Sequence, residues 1–497
     1  MDGKIQETVA LQSYVIGDCT EELKNIPNNY FDSCVTDPPY GLEFMDKDWD
    51  HLKESKEMQN WHLKWAKEVF RVLKPGGHLL AFGGTRTYHR LACAIEDAGF
   101  EIRDMIAWEY GQGLPKSMDI SKQLDKKFGA EREVVGKNPN DREKRENAMS
   151  DYGLQGGVGS AFITIPSTPQ AKQWSGWGTT LKPALEPIVI ARKPLSERTV
   201  ADNVLKYGTG GINIGGCRIP TNPEVDDMLR TVDRVARASQ TWEEGSGFKN
   251  ENNTVTGVRS DGRFPANLIL ECTCEKTEIG KASGSQGHWS KSKVTGFGEF
   301  GGGKTEYQGV GEKDDMKCIV HTDPNCPCRI LDEQSGVMNS KRSKRGIGFS
   351  NSHIYGTGDQ DFDTERGFND SGGASRFFYI AKSSRGERER GLIGNVPCAT
   401  CGGLDSTEHQ NKSGVMVSCV RNSHPTVKPI KLMAYLVRLV TPPNGWVLDP
   451  FLGSGTTLVA CKIEGMSGIG IEKQKEMEPI IRGRFSADWN DLKETKK

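Results

Sequence analysis

Val35-Thr36-Asp37-Pro38-Pro39-Tyr40-Gly41 is the stretch around which this chain is organised. The apolar and β-prone residues 29–34 before it predict a strand that runs into a tight turn. The two prolines fix φ and remove two backbone donors, so the turn is rigid and its carbonyls are free to accept hydrogen bonds. An acid, two carbonyls and an aromatic ring at the end of a strand suit a planar group that carries an amine, such as a nucleobase. A structural Asp-Pro turn is the alternative, and this stretch by itself does not decide between them.

A second stretch, residues 445–457, reads Gly-Trp-Val-Leu-Asp-Pro-Phe-Leu-Gly-Ser-Gly-Thr-Thr and predicts a buried strand, a glycine-rich turn and the start of a helix. Glycines let the backbone approach a ligand closely, as in turns that bind dinucleotides. The next predicted strand, residues 467–472, ends at Glu472, about twenty residues after the first strand, which is the spacing of a ribose-binding carboxylate. A glycine-rich turn is weak evidence by itself. Paired with residues 37–40 it is strong.

Two motifs and their order resemble one enzyme family. Residues 37–40 resemble the catalytic motif, and residues 449–455 the cofactor motif, of the S-adenosylmethionine-dependent DNA amino-methyltransferases that act on adenine N6 or cytosine N4. The catalytic motif comes first, which is similar to the permuted order of the beta class, and residues 111–119 resemble a loop of its phage-type subgroup. The resemblance covers about residues 11–115 and 422–475.

This resemblance implies an α/β, Rossmann-like methyltransferase sheet with permuted motif order, S-adenosylmethionine as cofactor and duplex DNA as substrate. The catalytic residues that it implies are Asp37, Pro38, Pro39 and Tyr40. The cofactor-binding residues that it implies are Asp18, His424, Pro425, Asp449, Pro450, Phe451, Gly453, Gly455, Thr456 and Glu472. For Asp18, a helix cap is the alternative interpretation.

The implied chemistry requires a base outside the duplex, because an amine inside it cannot reach the cofactor. We expect Tyr40 to stack on the flipped base, while Asp37 and the carbonyl of Pro38 accept hydrogen bonds from its amine and aim the nitrogen at the methyl group. An Asp at the first motif position favours adenine N6, and cytosine N4 stays open. The rival classes are RNA or protein-glutamine methyltransferases and a catalytically decayed DNA-binding protein.

Length and composition limit these interpretations. The chain has 497 residues, 35% of them hydrophobic, with 58 glycines and a net charge of −1, which favours two or three domains with long loops and only a local basic patch for DNA. The sequence has no signal peptide and no run apolar enough to cross a membrane, so we expect a cytoplasmic protein of a bacterial or phage-infected cell. A monomer or a homodimer is expected. Its role could be restriction-modification, phage DNA protection or regulation.

Composition also predicts three segments. Alternating strands and helices in residues 1–219 predict the first part of a parallel α/β catalytic domain, with a mobile polar loop at 129–175 over the active site. Residues 220–373 are richer in Gly, Ser, Lys, Asp and Asn and are the predicted target-recognition insert. Residues 374–497 complete the catalytic domain. Basic residues at 341–345 are candidates for phosphate contacts, with a solvated loop as the alternative.

Two groups of cysteine and histidine indicate structural zinc. In the insert, which has few apolar residues, we expect four of five candidates to bind the ion: Cys272, Cys274, His321, Cys326 and Cys328. A second set resembles a zinc knuckle, with free thiols as an equal alternative: Cys398, Cys401, His409 and Cys419. A cysteine nucleophile for cytosine C5 methylation is rejected, because no Glu-Asn-Val accompanies either Pro-Cys pair.

Overall fold

The structure is a computed structural model that describes the greater part of the chain. The described residues are 11–41, 55–110, 117–137, 162–219, 262–274, 277–281, 317–323, 326–335, 338–340, 343–344, 365–366, 370–372, 374–381, 385–410, 416–424 and 426–492. Pro425 and most of the predicted basic patch at 341–345 lie outside them. Within these ranges, no helix is long and apolar enough to span a bilayer.

The chain divides into two compact units. The first unit contains residues 1–217, 267–273 and 380–497, and therefore holds both sequence motifs. The second unit contains residues 218–266 and 274–379.

A nine-stranded sheet forms the centre of the first unit. Its strands are, in chain order, β1 (Gln12–Ile16), β2 (Phe31–Thr36), β3 (Leu73–Phe82), β4 (Glu101–Glu109), β5 (Leu185–Arg192), β6 (Leu268–Glu271), β7 (Tyr379–Ala381), β8 (Trp446–Asp449) and β9 (Ser467–Glu472). Their spatial order is β1-β9-β8-β2-β3-β5-β4-β6-β7. The two strands that come last in the chain thus lie between the first two.

Strand directions decide which strand ends share an edge. The neighbours β1, β9, β8, β2 and β3 are parallel, whereas β5 is antiparallel to both β3 and β4. The predicted parallel α/β sheet is thus confirmed as mainly parallel, and β5 is an exception. The physical reason is its connection: the chain leaves β4 and enters β5 at the same edge, without the crossover that a parallel strand requires. The start of β5 consequently lies beside the carboxyl ends of its two antiparallel neighbours, β3 and β4.

Helices and a few short strands complete the described part of the first unit. Its helices of eight or more residues are Ser55–Val72, Tyr88–Asp97, Ile120–Lys127, Val200–Tyr207, Ile430–Val440, Thr456–Glu464 and Glu478–Ser486. Its shorter helical segments are Cys19–Glu22, Leu23–Asn25, Pro169–Gln173, Gly215–Cys217, Arg385–Glu389, Lys475–Met477 and Asn490–Leu492. Two antiparallel pairs of short strands are Glu133–Lys137 with Phe162–Ile165, and Glu408–Gln410 with Met416–Ser418.

The core of the first unit forms where helix Ser55–Val72 and its neighbours cover the sheet. Trp65, Leu79 and Leu448 are completely buried in one cluster there. Each such side chain contributes about 1.5–3 kcal/mol by leaving water. Every residue of β2 is buried, as expected of a strand covered on both faces. The strand that carries the first motif is thus held rigidly.

The predicted polar loop at 129–175 is more ordered than expected in its described parts. They contain the strands Glu133–Lys137 and Phe162–Ile165 and the helix Pro169–Gln173. The reason is the completely buried carboxylate of Asp125, which accepts hydrogen bonds from Arg132 Nη1 (2.7 Å) and from the backbone nitrogens of Ser167 (3.1 Å) and Thr168 (3.0 Å). One acid therefore joins both ends of the segment.

The second unit consists, where it is described, of short strands around one helix. The helix is Pro327–Ser335, and a 3-10 turn covers Ala374–Phe377. The antiparallel strand pairs are Thr277–Lys281 with Lys317–His321, Met338–Ser340 with Asp370–Gly372, and Ser343–Lys344 with Glu365–Arg366. Short strands are what the β-prone pieces of this segment predict.

Candidate active site

Acidic residues follow four neighbouring strands of the sheet. Asp18 comes two residues after β1 and Asp37 directly after β2, while Asp449 and Glu472 end β8 and β9. Because the carboxyl ends of parallel strands meet at one edge, ligands of open α/β sheets bind there. All four acids line one cavity of about 1720 Å³. Small-molecule sites commonly measure about 300–1,000 Å³, so this cavity has room for two ligands.

The glycine-rich turn after β8 forms one wall of the cavity. Gly453 has a φ of +56° and Gly455 a φ of +86°, which favour glycine over other residues. A Cβ atom added to Gly453 would lie only 2.7 Å from Nε2 of His424. The backbone nitrogen of Gly453 donates a 2.7 Å hydrogen bond to Glu472. The turn is therefore fitted closely to the side chains on either side of it.

Asp449 joins the two sequence motifs. Its carboxylate accepts hydrogen bonds from the hydroxyls of Thr36 (2.7 Å) and Thr457 (2.5 Å) and from the backbone nitrogen of Phe451 (3.0 Å). Burial raises the pKa of Asp449 to about 6, against the effect of these donors. Since Thr36 directly precedes Asp37, the carboxylate fixes the position of the cofactor motif relative to the catalytic motif.

Glu472 and Asp18 both bind backbone groups. Glu472 accepts from the nitrogens of Gly453 and Gln474, each at 2.7 Å, and burial raises its pKa. Asp18 accepts from the nitrogen of Thr20 at 3.0 Å and so caps helix Cys19–Glu22, as the alternative interpretation predicted. The hydrogen bond from the Thr20 hydroxyl lowers the pKa of Asp18, and Lys473 pairs with its second oxygen at 3.0 Å.

Two further side chains of the cofactor motif, those of Phe451 and Thr456, contact residues outside the motif that hold them in place. The ring of Phe451 packs against those of Trp61 and Trp65, with centroid distances of 5.6 and 5.4 Å. The hydroxyl of Thr456 accepts a 2.9 Å hydrogen bond from the completely buried Arg484, which also donates to the carbonyl of Ser454 at 2.9 Å. The turn is thereby held rigid before any ligand binds.

At the other end of the cavity, four side chains form a compact polar network. The Tyr40 hydroxyl donates to Asp37 Oδ1 at 2.7 Å and lies 3.1 Å from Glu186 Oε2. Lys428 Nζ lies 3.0 Å from Asp37 Oδ2 and 2.9 Å from Glu186 Oε2. The ammonium of Lys428 is also 4.9 Å from the centre of the Phe82 ring. Asp37 and Glu186 thus share one buried cation.

Burial and mutual charge set the ionisation of this network. Burial raises the pKa of Asp37 most, Lys428 opposes that rise, and Glu186 adds to it. For Lys428, burial acts to lower the pKa, but the two carboxylates outweigh it and raise the pKa above its ordinary value. With both acids ionised, two carboxylates and one ammonium give one net negative charge. Such a site favours a ligand group that becomes positive.

Glu186 and Lys428 were missed as members of this site. Glu186 lies at the start of β5, and only the antiparallel direction of that strand brings it to the acidic edge. Lys428 lies in the segment before helix Ile430–Val440 that the family resemblance assigns to the cofactor. An acid between Leu185 and Pro187 at the entrance of an apolar strand was the available signal for Glu186.

The structure gathers almost every predicted site residue in the same cavity. The residues that line it are Asp18, Asp37, Pro38, Pro39, Tyr40, His424, Asp449, Pro450, Phe451, Gly453, Thr456 and Glu472. Gly455 is instead the cap residue of helix Thr456–Glu464. Their proximity is an observation, and their individual roles stay predictions.

Three of the five predicted metal ligands of the insert converge. In the second unit, His321 Nδ1 lies 3.7 Å from Cys274 Sγ and 3.8 Å from Cys326 Sγ, and all three residues are buried. Cys272 and Cys328 are buried as well. Cys272 belongs to the first unit, and Cys328 is the second residue of helix Pro327–Ser335.

Comparison with known proteins gives matches to DNA methyltransferases. A family model for N6/N4 methyltransferases, described as DNA methylase, matches residues 31–150 and 380–482. Type II methyltransferase M.HindIII of Haemophilus influenzae is 24% identical over 39% of this chain and 62% of its own length. Type II methyltransferase M.HpaI of Haemophilus parainfluenzae is 33% identical over 23% of this chain and 37% of its own. The chain thus spans less than two thirds of the length of these curated relatives.

Proposed function

Since this chain carries a DNA methylase domain of the N6/N4 methyltransferase family, we propose that it transfers a methyl group from S-adenosylmethionine to the exocyclic N6 amine of adenine in duplex DNA. The observation that carries the proposal is the single cavity in which Asp37 and the glycine-rich turn lie together. The bond between Thr36 and Asp449 fixes their separation.

The glycine-rich end of the cavity suits a nucleoside cofactor. An added side chain at Gly453 would strike His424, so the backbone itself forms the surface against which a ligand lies. The Glu472 carboxylate keeps acceptor capacity for ribose hydroxyls beyond its two backbone donors. We propose that Glu472 holds the ribose and Asp18 lies near the adenine end. When bound, S-adenosylmethionine supplies an electrophilic methyl group.

The Asp37 end of the cavity suits the base that is methylated. Asp37 and the Pro38 carbonyl accept hydrogen bonds from the amine, which directs its nitrogen lone pair, and Tyr40 stacks on the base. As the bond between the methyl carbon and the amine nitrogen forms, the bond from that carbon to the sulfonium sulfur would break and leave a neutral thioether. The amine nitrogen becomes positive in this step and then releases a proton to water. The net negative charge of Asp37, Glu186 and Lys428 stabilises that positive charge. The enzyme forms no covalent bond to the base in this scheme.

The selection of the target sequence is assigned to the predicted insert. We propose that the base is flipped out of the duplex, because the amine must enter a cavity. The predicted insert, residues 220–373, would read the DNA sequence, and a zinc ion bound by four of its five candidate ligands would order it. The convergence of Cys274, His321 and Cys326 supports that zinc site. Action inside a bacterial or phage-infected cell, for restriction-modification or DNA protection, is part of the same proposal.

The test is incubation of the purified protein with mixed genomic DNA and labelled S-adenosylmethionine, followed by mass spectrometry of nucleosides. We expect label in N6-methyladenine. Label in N4-methylcytosine would overturn the choice of base while keeping the reaction type. No label in DNA, with label in RNA or protein, would overturn the DNA substrate. Glu96→Gln, at an exposed helix position, is the matched acid-to-amide control for variants of the cavity.

A further inference from the structure

A second group of thiols lies in the C-terminal part of the first unit. Its donors are Cys398, Cys401, His409 and Cys419, whose ligand atoms all lie within 4.8 Å of one another. The sulfurs of Cys401 and Cys419 are 3.6 Å apart. His409 Nδ1 lies 3.4 Å from the sulfur of Cys419 and 3.9 Å from that of Cys398. Four soft donors therefore surround one point.

These separations match a tetrahedral metal site. Zinc binds sulfur at about 2.3 Å and histidine nitrogen at about 2.0–2.1 Å, which places tetrahedral ligand atoms about 3.6–3.8 Å apart. A disulfide would require sulfurs about 2.05 Å apart and would leave the histidine unexplained. We propose that Cys398, Cys401, His409 and Cys419 bind one structural zinc ion, and that this ion fixes the segment leading to His424.

The local chain is built for this role. The turn Cys398-Ala399-Thr400-Cys401-Gly402 closes through hydrogen bonds from Cys398 N to Gly403 O (3.0 Å) and from Gly402 N to Cys398 O (2.9 Å). Gly402 has a φ of +70°, which such a tight turn requires. The other two ligands lie on the hairpin of strands Glu408–Gln410 and Met416–Ser418 or directly after it. Among the described residues of turn and hairpin, few apolar side chains are buried, so a metal supplies cohesion that a core would otherwise give.

The site is connected to the cavity through a short chain of contacts. Arg421, two residues after the ligand Cys419, donates from its guanidinium to Leu404 O (2.9 Å) and from its backbone to Glu389 Oε2 (2.8 Å). Arg388 then donates to the carbonyl of His424 at 2.6 Å. His424 is the side chain that lies against the glycine-rich turn. The metal assignment is independent of the proposed function, whereas the effect on His424 rests on it.

The first test needs no substitution. The full-length protein, purified in the presence of zinc, is pulsed with N-ethylmaleimide before and after treatment with a zinc chelator, and cysteine peptides are quantified by mass spectrometry. Cys401 and Cys93 are both exposed. We expect Cys401 to react at least tenfold faster after chelation and to regain protection when zinc is restored, while Cys93 reacts equally throughout. Equal reactivity of Cys401 and Cys93 in the zinc-loaded protein would overturn the site.

The second test compares Cys401→Ser with the control Cys93→Ser. We expect Cys401→Ser to contain one zinc ion fewer per chain and to bind S-adenosylmethionine five- to tenfold more weakly in equilibrium dialysis. Unchanged zinc content would overturn the metal site. Loss of zinc with unchanged cofactor affinity would overturn the positioning of His424. If the natural protein binds no cofactor while Cys401 is protected, the proposed function fails and the zinc site stands.

Discussion

The two ends of the cavity are stabilised by different kinds of interaction. At the cofactor end, the carboxylates of Asp449 and Glu472 accept from backbone nitrogens and from hydroxyls on neighbouring strands. At the other end, Asp37 and Glu186 are both held by the positive charge of Lys428, with which each forms an ion pair. The first arrangement follows from the backbone path, and the second from three side chains contributed by distant parts of the sequence.

This difference predicts which substitutions change the affinity for a ligand and which change the rate of the reaction. A backbone-built pocket is preorganised, so its ligand loses little affinity to rearrangement of the site. A network of buried charges responds to the loss of any member, because the remaining charges are left unpaired in a region of low dielectric. We therefore expect substitutions at the Asp37 end to change the rate, and substitutions at the Glu472 end to change affinity.

The largest effect is expected for Asp37→Ala. Loss of the acceptor that orients the amine should reduce methyl transfer by about 10²–10³-fold or more. Cofactor affinity should stay within a factor of about two to three, because the bond to Asp449 comes from Thr36 and not from Asp37. Single-turnover methylation and equilibrium cofactor binding measure the two effects, with Glu96→Gln as control. Retained methylation would contradict the assignment of Asp37.

Asp449→Asn tests whether the buried acid of the cofactor end is structural. Its folded pKa of about 6 lies above the ordinary value of 3.8, so the folded protein holds a proton that the unfolded chain has already lost between those values. The free energy of unfolding therefore falls as pH rises through that window, by up to about 3 kcal/mol. The Asn variant lacks this slope. Urea unfolding at about pH 4.5 and 7 should show the difference between the two proteins changing with pH; a constant difference would contradict it.

Lys428→Met and Glu186→Gln should shift the pH dependence of transfer in opposite directions. Transfer requires the Asp37 carboxylate and falls as pH drops through its raised pKa. Removing the cation raises that pKa further, and removing the second acid lowers it. The acid limb of kcat at saturating substrates should move up in pH for Lys428→Met and down for Glu186→Gln. If the acid limbs of kcat lie at the same pH in both variants, the network does not control the pKa of Asp37.

Glu472→Gln is expected to have the smallest effect. The backbone nitrogens of Gly453 and Gln474 donate to different oxygens of Glu472, so the amide keeps an acceptor for one of them and loses the charge of the carboxylate. Cofactor affinity should fall by about 1 kcal/mol, or about fivefold, while kcat at saturation stays near that of Glu96→Gln. A large fall in kcat would contradict the expectation that substitutions at the Glu472 end change affinity and not the rate.

Local patterns predicted the elements that carry the motifs. Strand 467–472 has the predicted bounds, since apolar periodicity and flanking residues determine the bounds of such an element locally. The glycine-rich turn after β8 was predicted for the same reason. Asp18 shows the limit of such patterns, because a helix cap and a cavity-lining acid have the same local sequence.

Features that depend on strands distant in sequence were not predictable. Glu186 joins the site only because β5 is antiparallel, and direction follows from how the chain returns to the sheet. Lys428 joins Asp37 across nearly four hundred residues of sequence, and no spacing rule links them. For Cys398, Cys401, His409 and Cys419, the sequence indicated the set of four residues but not the strand pairing that accompanies their convergence.

The position of β8 and β9 between β1 and β2 also has a consequence for synthesis. During translation, β1 and β2 emerge first, but β9 and β8, which lie between them in the sheet, are made more than four hundred residues later. Until then both strands present unpaired edges, which are liable to associate with other chains. The acids that follow them meet only when the last strands insert. An incomplete nascent chain therefore has no assembled cavity. The order of synthesis itself delays activity until the sheet is complete.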